Sequence, residues 1–318
     1  MKAIIKNKLI LNEIYSASAI ELIDNELFII GDNSPFLFIL DLEGNIKNKI
    51  KIFDIEIADN QDIAIIPKKE KPDFEASCVL KIKDKNYLFV VGSGSSEKRN
   101  VAILVDLATF EVKNISLKKL YQLFIKLIKL TVLGANTQND DLNSTLNIEG
   151  LCANETNVYF FQRGNISGNN FIFSILLTDM ASYLLSAKQT INIFKINRQK
   201  VTLPSINGIF SGFSGACFAG TPPISKHDKT ILWTSSVEDT KNAIDDGSVL
   251  GSFLGTYDLD NHQIKSIIIE NPVTDEIFMG KVEGVCVVDW SNDLSPKHVI
   301  AVTDADGGCS EMLFIEIS

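Results

Sequence analysis

The stretch Val282-Glu283-Gly284-Val285-Cys286-Val287 decides the fold, because versions of it return along the chain. They are Ala17-Ser18-Ala19-Ile20-Glu21-Leu22, Phe74-Glu75-Ala76-Ser77-Cys78-Val79, Ile148-Glu149-Gly150-Leu151-Cys152-Ala153 and Phe213-Ser214-Gly215-Ala216-Cys217-Phe218. Each has a Ser or Glu anchor, then a small residue, and Cys or Glu three places after the anchor. The anchors Ser18, Glu75, Glu149, Ser214 and Glu283 are 57, 74, 65 and 69 residues apart. A supersecondary unit repeated at such a period points to a propeller or solenoid.

Short apolar strands follow every anchor. Glu26 to Ile30 and Phe36 to Leu40 follow the first, with Asp41-Leu42-Glu43-Gly44-Asn45 as a hairpin turn. Asn86 to Val91 and Val101 to Asp106 follow the second, and Val158 to Phe161 and Phe171 to Leu177 the third. Thr230 to Thr234 and Ser252 to Tyr257 follow the fourth, and His298 to Val302 and Glu311 to Ile317 the fifth. The last unit stops one strand short, while residues 2 to 11 are a spare strand. A propeller closes its ring by lending a terminal strand to the last blade, which removes exposed sheet edges. The expectation is an all-β, five-bladed β-propeller, a single domain over residues 1–318. One helix interrupts it, over Leu117 to Leu133, capped by Ser116 and ended by Gly134.

Composition sets limits on partners. The 318 residues are 45% hydrophobic and 22% charged, with a net charge of −10. This is a globular composition with a large core, and its acidity argues against nucleic acid, which needs a basic face. No apolar run reaches the roughly 18 residues of a membrane span, so no membrane partner is expected. The helix at 117–133 is basic and amphipathic, a pattern shared by membrane-surface helices and by helices packed on a sheet. The start of the sequence reads as a strand, not as a secretory signal, and the five cysteines are an odd number. Four of them, Cys78, Cys152, Cys217 and Cys286, share one place in the repeat and read as buried free thiols. A cytoplasmic location is the expectation.

In a propeller the first strand of each blade lines the axis and the second runs back antiparallel. The five anchors then surround one end of the axis. Beside them come the ends of the second strands: Asp32 and Asn33, Gly92 to Arg99, Gln162 and Arg163, Ser235 to Asp239, and Asp304 to Asp306. Three glutamates converging there must take up protons or be neutralised by a cation. Oxygen donors without His or Cys select a hard cation, and calcium accepts six to eight oxygens. The other reading is structural, with the glutamates accepting hydrogen bonds from neighbouring blades. His227, His262 and His298 lie away from the ring.

The order Ser, Glu, Glu, Ser, Glu resembles that of the calcium-activated nucleotidases, or soluble apyrases. Ser18 through Asp32-Asn33 is similar to their Ser-Asp-Leu opening and Asp-Asp-Arg end, and Glu149 through Arg163 to their His-Glu-Ser and Phe-Leu-Pro-Arg. Gly212-Phe213-Ser214 with Val237-Glu238-Asp239 resembles Gly-Phe-Ser and Glu-Glu-Asp, and Val282-Glu283-Gly284-Val285 resembles Tyr-Glu-Gly-Ile. The resemblance implies a five-bladed propeller with axial Ca2+ held by Ser18, Glu75, Glu149, Ser214 and Glu283. It further implies metal-dependent hydrolysis of a phosphoanhydride or phosphoester, with a small phosphate-containing ligand at the channel mouth. Asp32 or Asp304 would orient water; Asn33, Lys98, Arg99, Arg163, Glu238, Asp239 and Asp306 would surround the ligand. The sequence departs from the family at Asn33, where the family has Arg, and at Gly92-Ser93-Gly94-Ser95-Ser96, where Lys98 and Arg99 are displaced. It also has Ser235 or Ser236 where the family has a lysine near the end of the fourth blade's second strand. Fewer cations weaken stabilisation of transferring phosphate. A non-catalytic binding or scaffolding propeller with a structural ion is therefore the rival reading.

Overall fold

A computed structural model describes residues 2–55, 64–132, 146–164, 168–220, 228–240, 247–271, 276–290, 296–305 and 308–318. It begins with the long strand β1 (Ala3–Tyr15) and continues through sheets whose strands follow chain order. The first comprises β2 (Ala17–Ile23), β3 (Glu26–Gly31), β4 (Phe36–Leu40) and β5 (Ile46–Lys51). The second comprises β6 (Phe74–Ile82), β7 (Lys85–Gly92), β8 (Val101–Asp106) and β9 (Val112–Ser116). Helix α1 (Lys118–Val132) follows, then β10 (Ile148–Ala153), β11 (Asn157–Gln162) and β12 (Asn170–Leu176). Helix α2 (Leu177–Leu185) separates these from β13 (Ile196–Val201), the fourth strand of the third sheet. A hairpin of β14 (Ser205–Ile206) and β15 (Ile209–Phe210) leads to β16 (Gly212–Phe218), β17 (Thr230–Asp239), β18 (Ser248–Asp258) and β19 (Ile264–Glu270). The chain ends in β20 (Lys281–Asp289), β21 (Lys297–Asp304) and β22 (Cys309–Ile317).

Neighbouring strands within these sheets are antiparallel, as short hairpin connections require. β1 lies antiparallel to β22, from Ala3 opposite Ile317 to Tyr15 opposite Cys309. The spare strand therefore does complete the last sheet, over a longer range than residues 2 to 11. It also pairs in parallel with β19, Ala3 with Ile269 and Ile4 with Glu270. That second bond was not expected, and it fuses the last two sheets into one eight-stranded sheet.

The first strands form a closed circuit: β2 touches β6, β6 touches β10, β10 touches β16, β16 touches β20, and β20 touches β2. Apolar clusters fill the gaps between adjacent sheets. Leu27, Ile29, Ile300 and Val302 lie in one gap, and Ile30, Ile39, Val90 and Ile103 in the next. This is a propeller-like, all-β arrangement. α1 is part of the core rather than an appendage. Phe124 stacks on Phe173 at 4.3 Å and meets Phe160 edge-on at 5.2 Å, and Tyr121 donates a hydrogen bond to Gly92 O at 2.6 Å. Ser116 Oγ accepts from Lys118 N at 3.4 Å, near the expected cap; Gly134, the expected end, lies outside the described residues. α2 was missed by the sequence reading, which ran the preceding strand through Leu177. Its Met180, Tyr183 and Leu184 are buried at helical spacing beside α1. Among the described residues no helix is long and apolar enough to cross a membrane.

Candidate functional site

All five anchors sit on the first strand of a sheet, and at each the ladder to the second strand slips. Ala17 pairs with Gly31 and Ala19 with Ile30, so Ser18 has no opposite number. The same slip passes over Glu75, Glu149 and Ser214, and between Val282 and Val285 it passes over Glu283 and Gly284. A β-bulge bends the strand and re-aims the side chain at the bulge. The small residue after the anchor is required by close packing of neighbouring first strands. A Cβ on Gly215 would lie 2.3 Å from Glu283 O, and one on Gly284 would lie 2.7 Å from Ile20 N. The channel is correspondingly narrow here, with a hollow of about 10 Å³ lined by Ser18, Gly150, Gly215 and Gly284. That is room for about one water.

The two serine anchors fasten one first strand to the next. Ser18 Oγ donates to Phe74 O at 2.5 Å, and Ser214 Oγ donates to Val282 O at 2.5 Å. Each accepting carbonyl belongs to the residue just before the next anchor. Strand-to-strand hydrogen bonding was one of the two readings of the ring, but it was assigned to the glutamates. It is made by the serines, whose protons are thereby used and whose remaining lone pairs are what they can offer a cation.

Carboxylates crowd this end of the axis in two groups. Oxygens of Asp32, Asp73 and Glu75 lie within 4.8 Å of one another; the anchor glutamates form no such tight set. Lys71 pairs with Asp32 and, at 3.0 Å, with Asp73, while Arg99 Nη1 is 2.7 Å from Asp73. In the second group Arg163 pairs with Glu238 and lies 3.4 Å from Glu149 and 3.8 Å from Glu283. Lys281 Nζ is 3.2 Å from Glu283 and 3.6 Å from both Glu238 and Asp304. The expected choice between protons and a foreign cation is thus corrected: the chain supplies part of the compensation itself. Among the described residues, seven carboxylates nonetheless face four basic side chains.

Burial is the main cause of the resulting pKa shifts. It pushes Glu283 up to about 8, with the charge of Glu149 adding to it and Lys281 and Arg163 opposing. Neither Glu283 oxygen accepts a hydrogen bond among the described residues. Burial, with Asp73 and Glu149 beside it, holds Glu75 well above the usual carboxylate range. It also raises Glu149, against Arg163 and Lys281, and takes Asp32 to about 6 against Lys71. Glu238 moves down, because Arg163 and Lys281 outweigh its burial. Burial pulls the Lys281 ammonium down, yet the surrounding carboxylates leave it raised.

Asp73, Lys281 and Lys71 were not picked out from the sequence. Asp73 and Lys281 stand two residues before Glu75 and Glu283, as Asn147 stands before Glu149 and donates to it at 2.5 Å. A polar or charged residue two places before each glutamate anchor was therefore a readable signal, although only Lys281 of the three lies on the strand itself. Of the expected ligand-binding residues, Arg163, Glu238 and Asp239 come together with Phe210 and Ser236 around a hollow of about 240 Å³. Asn33 instead donates to Ser16 Oγ at 3.2 Å; Arg99 stays in the acidic group through Asp73 and also donates to Ser95 Oγ at 2.8 Å. Lys98 donates to Lys69 O at 2.8 Å and lines a separate surface hollow with Phe53 and Val101, so it is not brought to the mouth. Asp306 and His227 lie outside the described residues. His262 bonds Tyr257 at 2.7 Å, and His298 lies on β21.

The other end of the axis is different. Cys78, Cys152, Cys217 and Cys286 line a chamber of about 340 Å³ with Glu21, the residue at their place in the first repeat. All four thiols are free and buried, and burial pushes each one up. Burial also takes Glu21 to about 8, opposed by a 3.1 Å hydrogen bond from Ser77. A thiol so raised carries little thiolate, the reactive form. Native protein treated with a thiol reagent at pH 7.5 should label Cys309, which is partly exposed, well before the other four. Prompt labelling of five thiols, counted by mass spectrometry, would contradict the buried placement.

The fold and this axis define a class: a propeller-like all-β protein with an acid-rich axial mouth and a thiol-lined opposite end. Within it the chain belongs to a family of unknown function, DUF6929, whose model matches residues 13–317. No curated protein matches it in sequence. Among solved structures it is similar to the glutaminyl cyclase of Myxococcus xanthus, at 7% identity and a TM-score of 0.47, over 99% of this chain and 97% of that one. It is also similar to a bifunctional GH43-CE protein of Bacteroides eggerthii, at 10% identity and a TM-score of 0.49, over 98% of this chain and 34% of that one. A third similarity is to the N-terminal domain of Nup159, at 10% identity and a TM-score of 0.34; there the chain covers 91% of its own length but spans only 57% of the other. Likenesses this distant assign no activity.

Proposed function

We propose that the protein is a five-bladed β-propeller that binds a hard divalent cation, calcium by its donors, at the acid-rich end of the axis. The observation that carries this reading is the excess of carboxylates there, with both oxygens of buried Glu283 lacking a hydrogen bond among the described residues. The donors are oxygens only, which fits calcium rather than a softer ion. Glu75, Glu149 and Glu283 are the charged ligands, Asp32 and Asp73 stand beside Glu75, and Ser18 and Ser214 offer lone pairs. The ligand is a small phosphate-containing molecule entering the hollow beside Arg163. A bound cation would supply positive charge for its phosphate oxygens. Asp32 and Asp304, on the ends of second strands, would orient water. A nucleotidase-like hydrolysis, as in the soluble apyrases, is the activity this arrangement suits.

One observation favours a second reading. Arg163 and Lys281 are already engaged by carboxylates, which suits a scaffold or binding propeller whose ion is structural. A screen of phosphate release from nucleoside di- and triphosphates and simple phosphoesters separates the two. Release that needs calcium and falls at least about tenfold in Asp304→Asn supports hydrolysis. Calcium binding without release on any substrate supports the scaffold.

A further inference from the structure

The chain is acidic as a whole, yet two of its stretches contain no Asp or Glu: Val112 to Val132 and Met180 to Gly220. Together they carry nine of its thirty basic residues. The fold brings the two stretches together. Lys119 Nζ donates to Lys188 O at 2.8 Å, Lys113 Nζ to Leu184 O at 3.2 Å, and Tyr183 OH to Ser116 O at 2.9 Å. Arg198, on β13, reaches Thr131 at the end of α1. The result is a surface made of α1, the turn at Ile193–Lys195 and β13, with α2 beside them, on which basic side chains outnumber acidic ones; Lys118 pairs with Glu97 and Lys195 with Asp179 of α2, both at 2.5 Å.

Large apolar side chains project from the same elements. Phe194, at the centre of that turn, is 92% exposed, more than any other large apolar residue described. Leu185 ends α2 at 46%, and Leu130 lies near the end of α1 at 42%. The opposite face of α1 is fully used, packed between sheets through Phe124 and Tyr121. Exposed apolar tips among lysines, on elements otherwise well packed, have no role in the core.

We infer that this surface docks on an anionic lipid bilayer. Lysine and arginine stems sit at headgroup depth with their charges toward lipid phosphates, while an aromatic or leucyl tip enters the acyl boundary. Charge alone would serve a nucleic-acid duplex equally well, but a bare phenyl ring finds no open base face on a duplex to stack on. No membrane partner was expected because no segment of the sequence is long enough to span a bilayer, and docking needs none. Basic residues near an anionic surface act additively and are screened by salt.

The test is sedimentation of the full chain with vesicles of phosphatidylcholine alone and with about one third phosphatidylglycerol. Binding to the anionic vesicles should exceed binding to neutral ones by roughly tenfold or more and vanish in about 0.5 M salt. Phe194→Ser and the double change Lys126→Glu with Lys200→Glu should each weaken it several-fold, with melting temperatures unchanged because all three side chains are exposed. Equal binding to both vesicle types, or none, overturns the inference. So does binding to duplex DNA that matches anionic vesicles and is indifferent to Phe194→Ser, since that marks a plain polyanion surface.

Discussion

A chain lacking residues 2–12 is expected to aggregate or fail to fold. β1 covers the edge of β22 along almost its whole length and, through Ala3 and Ile4, the edge of β19 as well. Its removal uncovers two rows of unpaired backbone groups at once, and open edges of this kind recruit other chains. The loss in packing is also large. Ile5 and Leu11 are at most 4% exposed, and full burial of such side chains contributes about 1.5–3 kcal/mol each. Domains hold only about 5–15 kcal/mol in total. Size-exclusion chromatography and a thermal melt decide the matter: an unchanged elution volume and melting temperature would show that β1 is dispensable to closure.

Calcium is expected to raise the melting temperature by roughly 5 °C once it is about a hundredfold above its dissociation constant, because it binds the folded state only. A chelator should reverse this. The response depends on pH in a definite direction. Glu283 titrates near 8 in the folded chain against an ordinary 4.5. Between those values the metal-free folded state holds a proton that the unfolded chain has lost, so this group makes stability fall as pH rises through that window. A cation needs the ionised carboxylate, so its binding strengthens over the same range. The calcium increment should therefore be larger at pH 8.5 than at pH 6. Glu149→Gln should shrink it, since the amide keeps the shape and loses the charge. Lys71→Met should enlarge it, because Lys71 is the ammonium now balancing Asp32 and Asp73. Identical melts in calcium and chelator at both pH values would sink the cation reading. A Lys71→Met protein that is destabilised without a larger response would make that lysine the permanent counter-ion.

Much of the strand pattern was legible in the sequence. Phe36–Leu40 and Val101–Asp106 are strands with the expected bounds, because alternation and bounding turns are local properties of the chain. The four thiols were legible for the same reason: one place in a repeat has one environment in every copy. α2 was not, since nine residues following a strand without a capping side chain give too short a periodic signal.

The site divides along the same line. The sequence by itself determined which residues stand at the axis, since five recurrences of one motif place Ser18, Glu75, Glu149, Ser214 and Glu283 at matching positions. Only the tertiary structure decided what those side chains meet. The slip at every anchor depends on pairing with a second strand, and the serine hydrogen bonds depend on which first strand comes next. The compensation of Glu283 by Arg163 joins groups from different sheets, whereas Lys281 is its neighbour two residues back on β20. Charges separated by more than a hundred residues in sequence, as Arg163 and Glu283 are, interact through space at distances that no local pattern encodes.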